Sequence, residues 1–133
     1  AHILVDPRIS VSEGHRLGEQ ARQRVLAEHS EVADVLVHID AEEDQALMSN
    51  SAALPDRDIL MARLGELLGA EAPSIERTLL HYLGDRVEAE VFLPLDTCLD
   101  PVRLSALEGR IAARLPGDPH FRAISLNCRI APK

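Results

Sequence analysis

The sequence predicts an α+β fold in which a β-α-β segment is followed by an α-β-β-α-β segment. Three observations predict this fold. Short apolar runs bounded by turn residues are typical of strands, and longer segments with apolar residues three or four positions apart are typical of amphipathic helices. The apolar content of 46% is sufficient for a core. This core must be aliphatic, because the chain has no Trp, one Tyr and two Phe.

The first three predicted elements form the β-α-β segment. An apolar run predicts a strand at residues 2–6. Ser10 and Glu13 have the spacing of a capping box, which predicts a helix over 11–28. A second apolar run predicts a strand at 32–40, parallel to the first if the two are neighbours in one sheet. The apolar stripe of the helix is predicted to consist of Leu17, Ala21 and Val25.

A linker, a helix and a hairpin are predicted next. Residues 41–55 are polar and have no apolar period, which predicts a linker. The spacing of leucines predicts a helix over 56–68. Two strands at 75–83 and 86–95 flank the turn Gly84-Asp85 and predict a hairpin with one buried and one exposed face.

The last predicted elements are a helix and a strand. Asp100 followed by Pro101 is typical of a helix start and predicts a helix to about residue 115, before a strand at 123–130. The order corresponds to a ferredoxin-like open-faced sandwich with helices on one face of the sheet. The strand at 32–40 can also join the later elements in one β-α-β-β-α-β sheet. The predicted organisation is a leading unit at 1–40, a linker at 41–55 and a second unit at 56–133.

The charge and the cysteines restrict the kind of protein. A net charge of −8 and the scarcity of aromatic residues argue against nucleic acid as a partner. Cys98 and Cys128 form no C-x-x-C pattern, so we expect reduced thiols in a cytosolic protein, with Cys128 in the core. The sequence has no apolar run long enough to cross a bilayer, and its first residues lack the pattern of a secretion signal. We therefore expect a soluble chain that does not itself insert into a membrane.

Four residues near the start of the sequence are candidate ligands for a metal ion. His38 and Asp40 lie two apart in a predicted strand and therefore point to the same side. His2 and His15 lie on neighbouring predicted elements. Together these residues meet the preference of zinc for about four N, O or S ligands, although iron, manganese, cobalt and nickel accept the same ligand types. A single histidine is more often structural than a ligand, so the hypothesis depends on the set.

The second part of the chain is predicted to be a divergent copy of the first that has lost these ligands. Aligning Asp96 with Asp6 superposes the two strand-helix-strand segments and keeps the apolar positions of the helix. An arginine at the position of an aspartate ligand would repel a cation. We interpret this loss as a sign that the histidines serve metal binding rather than folding. The residues at the four ligand positions are Phe92, Ser105, Asn127 and Arg129.

Three motifs of the leading segment occur together in a known family. They read H-I-L-V-D at residues 2–6, S-V-S-E-G-H at 10–15 and D-V-L-V-H-I-D at 34–40. In this order and spacing, the segment resembles the cytoplasmic C-terminal domain of cation diffusion facilitator (cation efflux) transporters. Gly14 replaces the usual Ala of the family motif, and Ala41 replaces the usual Pro.

The resemblance implies a fold, a location and a set of ligands. It implies a metallochaperone-like α+β fold, a homodimer, and zinc or a similar divalent ion bound on the cytoplasmic side of the cell membrane. A transmembrane domain of the same transporter is then expected upstream, together with one further ligand. Residues 75–130 resemble a more divergent copy of the same domain. The residues that match the family's two-metal site near the dimer interface are His2, His15, His38 and Asp40.

Three functions are consistent with these observations. The resemblance favours a regulatory, metal-sensing and dimerising domain of a cation efflux transporter. A structural dimerisation module with a vestigial metal site is the main alternative. A small metal-dependent hydrolase is disfavoured, because the sequence has no H-E-x-x-H motif, no nucleophile elbow and no Gly-rich phosphate loop. We therefore expect no enzymatic activity.

Overall fold

The computed structural model describes residues 1–41 and 53–129, without the side chains of residues 71, 73, 74 and 129. Most of the predicted linker, and the end of the last predicted strand at residue 130, therefore lie outside the described residues. The chain divides into two compact units, residues 1–48 and 49–133, which are described separately below. The finer division into 1–40, 41–55 and 56–133 stays a prediction.

Unit 1 contains a β-α-β segment made of β1 (His2–Leu4), α1 (Val11–Glu28) and β2 (His38–Asp40). The start of α1 follows from local chemistry, because the Ser10 side chain accepts a hydrogen bond from the backbone N–H of Glu13 at 3.1 Å. The two strands pair in parallel, as predicted. The predicted strand at 32–40 is observed only over its last three residues, His38–Asp40, which pair with β1.

Helix α1 contacts the sheet through glycines rather than through the predicted leucine. Gly14 and Gly18 are buried. A Cβ atom added at Gly18 would lie 3.4 Å from Ile39 Cδ1, and one added at Gly14 would lie 3.5 Å from Ile39 Cγ2. Leu17 is 38% exposed, so its predicted place in the buried stripe is wrong. A search for periodically spaced apolar residues leaves glycine out, although glycine allows the closest approach of a helix to a strand.

Unit 2 contains the predicted α-β-β-α-β segment. The predicted hairpin is present, and the residue before Pro101 caps the second long helix: the Asp100 carboxylate accepts hydrogen bonds from the backbone N–H groups of Val102 and Arg103. A helix of four residues between the hairpin and the second long helix was not predicted. The elements are α2 (Arg57–Leu68), β3 (Arg77–Leu83), β4 (Arg86–Pro94), α3 (Leu95–Cys98), α4 (Pro101–Arg114) and β5 (Phe121–Arg129).

The strands of the described residues form two sheets rather than one. In unit 2 the order is β3-β4-β5, with β4 antiparallel to β3 and parallel to β5. The α+β class is confirmed, whereas the single β-α-β-β-α-β sheet is not formed, because β2 pairs with β1. Alternate residues of β4 are buried against both long helices, which therefore cover the same face of the sheet. The fully buried core residues of unit 2 include Leu60, Leu64, Leu68, Val87, Val91, Leu93 and Phe121.

The β4-α4-β5 segment has the same register as β1-α1-β2. In unit 1, His2 lies opposite His38 and the next pair follows in parallel. In unit 2, Phe92 lies opposite Asn127 and the next pair is Leu93 with Cys128. This is the correspondence that the sequence alignment of the two segments predicts. The common topology and register support the interpretation of a second copy. That the two segments share an origin stays a prediction.

The two cysteines contradict the expectation of free thiols. Cys98 and Cys128 form a disulfide whose Cα atoms are 6.0 Å apart. Cys128 is exposed and does not fill the core. The pairing could not be read from spacing, because the two residues are 30 positions apart and meet only through the crossover from β4 to β5. None of the helices in the described part of the chain combines the length and apolar character needed to cross a membrane.

Candidate metal centre

Three of the four predicted ligands lie together on one face of the two-stranded sheet. His2 and His38 are directly opposite each other in the register of β1 and β2. Asp40 follows two residues after His38, so its side chain points to the same side of the strand. Ile39 points to the other side, where it packs against α1. The group His2, His38 and Asp40, named the HHD group below, therefore faces away from the helix.

The Asp40 carboxylate connects the two imidazoles of the HHD group. His2 Nδ1 lies 2.9 Å from Asp40 Oδ2. His38 Nδ1 lies 2.5 Å from Asp40 Oδ1. The centroids of the two rings are 5.1 Å apart, with an angle of 58° between the planes. Because each Nδ1 that donates to the carboxylate leaves a lone pair on Nε2, this arrangement selects the tautomer in which Nε2 can bind a cation.

The hydrogen-bond partners of Asp40 keep its carboxylate ionised although the side chain is largely buried. The Asp40 side chain is 12% exposed, whereas the side chains of His2 and His38 are 67% and 68% exposed. The hydrogen bond with His2 lowers the pKa of Asp40 below its ordinary value; burial opposes this change, and the contact with His38 adds to it. The stabilisation from this carboxylate is therefore present above the ordinary Asp pKa and is lost as the pH falls through the lowered pKa.

The ligand atoms of the HHD group lie slightly farther apart than those of a zinc site. Each residue offers one ligand atom, and these atoms all lie within 4.8 Å of one another. Ligand atoms of a tetrahedral zinc site, with bonds of about 2.0 to 2.2 Å, lie roughly 3.3 to 3.6 Å apart. Asp40 can bind the ion directly, or it can hold both Nδ1 atoms while the imidazoles bind through Nε2. Both arrangements leave at least one coordination position for a further ligand.

His15 is not brought together with the other three residues. It lies in α1, on the helix side of the sheet, and lines a cleft of about 410 Å³ together with Gly14 and Ile39. The sequence predicted His15 as a ligand together with the other three residues, but it could not indicate the face of the sheet on which His15 lies. The acidic run at 42–44, interpreted from the sequence as a solvated loop, lies outside the described residues.

Two other histidines have carboxylate partners of their own. His29 Nδ1 lies 3.3 Å from Glu31, and His81 Nε2 lies 2.9 Å from Glu90. Among residues 1–41 and 53–129, only the HHD group places three His, Cys, Asp or Glu ligand atoms this close together. In unit 2 the corresponding register pair is Phe92 and Asn127. This part of unit 2 therefore offers no imidazole to a metal ion.

Comparison with known proteins relates the leading segment to cation efflux proteins. Residues 1–42 match the family model described as "Cation efflux protein, cytoplasmic domain". The chain is also similar to Metal tolerance protein C1 of Arabidopsis thaliana, with 40% identity over 57 residues. This similarity covers 43% of the chain but 11% of the plant protein. No solved structure matches the chain.

The matched segment coincides with the structural elements that carry the candidate ligands. Residues 1–42 include all of β1, α1 and β2. The resemblance seen in the sequence is thereby confirmed for this segment. The match ends before unit 2 begins, so the assignment of unit 2 as a second copy does not rest on it.

Proposed function

We propose that this chain, whose residues 1–42 match the cytoplasmic domain of cation efflux proteins, is a regulatory, metal-sensing and dimerising part of a divalent-cation efflux transporter. The HHD group carries the proposal, since it is a carboxylate with two imidazoles on one exposed sheet face. Transport itself would belong to a membrane domain of the same protein. The chain would then act on the cytoplasmic side of the cell membrane, as part of a homodimer.

Zinc is the proposed ion, because the HHD group offers nitrogen and oxygen ligands without a thiolate. Iron, manganese, cobalt and nickel are the alternatives, since all accept the same ligands. The fourth position of a tetrahedral site would be taken by water or by a residue of a second copy. His15 is the candidate for the second role, because it lies on the helix side of its own sheet and not beside its own HHD group.

Binding would act on a marginal part of the structure. The sheet of unit 1 has two strands of three residues each. Such a small sheet is only weakly stable by itself. An ion that joins His2 to His38 and Asp40 holds the two strands together, and it shifts the population toward this closed arrangement by its higher affinity for it. A change in zinc concentration is thereby converted into a change in the order of this unit.

We expect the double substitution His38→Ala with Asp40→Ala to weaken zinc binding by at least about 100-fold, since loss of a single partner outside the coordination shell already costs about tenfold to 100-fold. The pair supplies two of the three ligand atoms of the HHD group. Isothermal titration of the full chain with zinc measures the effect. The matched control is His81→Ala with Glu90→Ala, which removes another hydrogen-bonded histidine and carboxylate, 2.9 Å apart, from unit 2. Equal affinities of the site variant and the unsubstituted chain would contradict the assignment.

Zinc binding should also weaken at low pH because of the imidazoles and not because of Asp40. A metal-bound imidazole must be neutral, so affinity should fall as acid protonates the ligands, by up to about tenfold for each imidazole per pH unit. The lowered pKa of Asp40 keeps its carboxylate ionised between about pH 5 and about pH 8. Titrations over this range test this, with proton release measured in buffers of different ionisation enthalpy. An affinity that does not change with pH would exclude histidine ligands.

A structural dimerisation module with a vestigial site is the second candidate. Two observations favour it. The imidazoles of His2 and His38 already form hydrogen bonds with the Asp40 carboxylate, and His15 does not lie beside these residues. In this case the melting temperature and the sedimentation coefficient should be the same with zinc and with a chelator. A metal-dependent change in either quantity supports the sensing function instead.

A further inference from the structure

The disulfide of unit 2 occupies a position that unit 1 uses differently. Cys128 lies opposite Leu93 in the register of β4 and β5. The corresponding pair in unit 1 is Ile3 with Ile39, and Ile39 lies between the two ligands of β2. At the position where unit 1 has Ile39, which packs against α1, unit 2 therefore has a covalent bond. This bond joins the end of β5 to Cys98 at the end of α3.

The two sulfur atoms differ in their surroundings. Cys128 is an exposed residue of β5. Cys98 is half-buried and packs against the hydrophobic core of unit 2. The neighbouring Leu99 is 73% exposed, so the surface at the end of α3 is open to solvent. An external thiolate can therefore approach Cys128 more easily than Cys98, and access to one sulfur decides which is attacked.

We propose that Cys98 and Cys128 form a reversible thiol–disulfide exchange site for a small thiol of the glutathione class. The thiolate of glutathione attacks Sγ of Cys128 and forms a mixed disulfide. The bond to Cys98 breaks, and the Cys98 thiolate takes up a proton from water. A second glutathione thiolate attacks the glutathione sulfur of the mixed disulfide, the bond to Cys128 Sγ breaks, and glutathione disulfide leaves. The Cys128 thiolate then takes up a proton from water. The protein gains two electrons and two protons, two glutathione molecules are oxidised, and glutathione disulfide reverses the reaction.

A cytoplasmic setting, which rests on the proposed function, would make this exchange effective. Cytosolic disulfides are uncommon because glutathione keeps thiols reduced, and exposed ones are the more easily reduced. The core of unit 2 is formed by leucines of α2, alternate residues of β4 and Phe121. Reduction therefore leaves the core in place and releases the link between α3 and the end of β5. With 30 positions between the cysteines, the unfolding equilibrium constant should rise by about 100-fold to 1000-fold on reduction.

Redox titration of the purified full chain tests the exchange. The chain is equilibrated in mixtures of glutathione and glutathione disulfide and quenched with an alkylating reagent. Mass spectrometry then gives the number of alkylated cysteines. We expect both cysteines to become alkylated together in one two-electron transition. The proposal would be overturned if millimolar glutathione without glutathione disulfide did not reduce the disulfide. It would also be overturned if the two cysteines formed no disulfide in the oxidised mixtures. Because the assay uses purified protein, its result is independent of whether the chain senses a metal.

The proposed site of attack has its own test. In glutathione disulfide, Cys128 of the Cys98→Ser variant should form a mixed disulfide and release one glutathione. Its rate should be at least about tenfold higher than that of Cys98 in the Cys128→Ser variant. The reverse order of rates would overturn the assignment of the attacked sulfur. Circular dichroism shows whether each variant is folded. For a variant that does not fold, acid quenching of the unsubstituted chain early in reduction locates the mixed disulfide, which we expect on Cys128 and not on Cys98.

Discussion

Phe121→Ala should lower the free energy of unfolding of unit 2 by about 3 to 5 kcal/mol. Phe121 is 0% exposed and lies opposite Val87 at the start of β5. The substitution removes a large apolar side chain from the core and leaves a cavity between β5 and the helices that cover the sheet. Its backbone N–H keeps the hydrogen bond to the Asp118 carboxylate, so the loss comes from packing.

Urea unfolding followed by circular dichroism measures this loss. The control is Leu99→Ala, which also shortens a large apolar side chain but at a position that is 73% exposed. We expect the control to change the free energy of unfolding by less than about 0.5 kcal/mol. Similar losses in both variants would mean that the cluster around Phe121 is not the core of this unit.

Asp118→Ala should lower the free energy of unfolding by about 3 to 4 kcal/mol. Asp118 is 1% exposed and lies directly before β5. Its carboxylate accepts a hydrogen bond from Arg63 Nε at 2.7 Å and from the backbone N–H groups of His120 and Phe121 at 2.9 and 2.8 Å. The substitution removes all three bonds. It leaves two backbone donors without their acceptor at the point where β5 begins.

The loss at Asp118 should depend on pH in a defined direction. Burial by itself would raise the pKa of Asp118, but the hydrogen bonds from Phe121, Arg63 and His120 outweigh it and lower the pKa. The stabilisation is therefore present above the ordinary Asp pKa of about 3.9 and is lost as the pH falls through the lowered pKa. In the alanine variant, the stability should depend less on pH in this acidic range.

Urea unfolding at neutral and acidic pH tests both statements. Glu108→Ala serves as the control, because Glu108 is an exposed acidic residue of α4 whose removal should cost less than about 0.5 kcal/mol. If Asp118→Ala has the same stability as the control at neutral pH, the carboxylate does not hold the start of β5. If its stability falls with acid as steeply as that of the unsubstituted chain, the carboxylate responsible is a different one.

Much of the fold could be predicted, because its signals are local. Helix α1 begins directly after its N-cap residue Ser10 and covers the predicted range. The turn Gly84-Asp85 predicted the hairpin, and the glycine has a positive φ of 61° there. Leu17 was misplaced because the contact of α1 with the sheet depends on Gly18, whose small size matters only once the strand is in place. Prediction failed where a residue's role is set by its neighbours in space.

The candidate site divides in the same way. Residues 1–42 carry enough sequence pattern to indicate the cation efflux cytoplasmic domain. The alternation of side chains along a strand determined that His38 and Asp40 point together. Only the parallel pairing of β1 with β2 decided that His2 joins them. Only the packing of α1 on the opposite face decided that His15 does not.

The sequence by itself determined the starts of the three long helices, the order of elements along the chain and the shared face of His38 and Asp40, because these depend on residues a few positions apart. The tertiary structure alone decided the composition of the HHD group and the bond between Cys98 and Cys128. His2 and His38 are 36 positions apart, and the two cysteines are 30 positions apart. In both cases a crossover helix brings the second strand back beside the first, and this return depends on packing rather than on any local pattern.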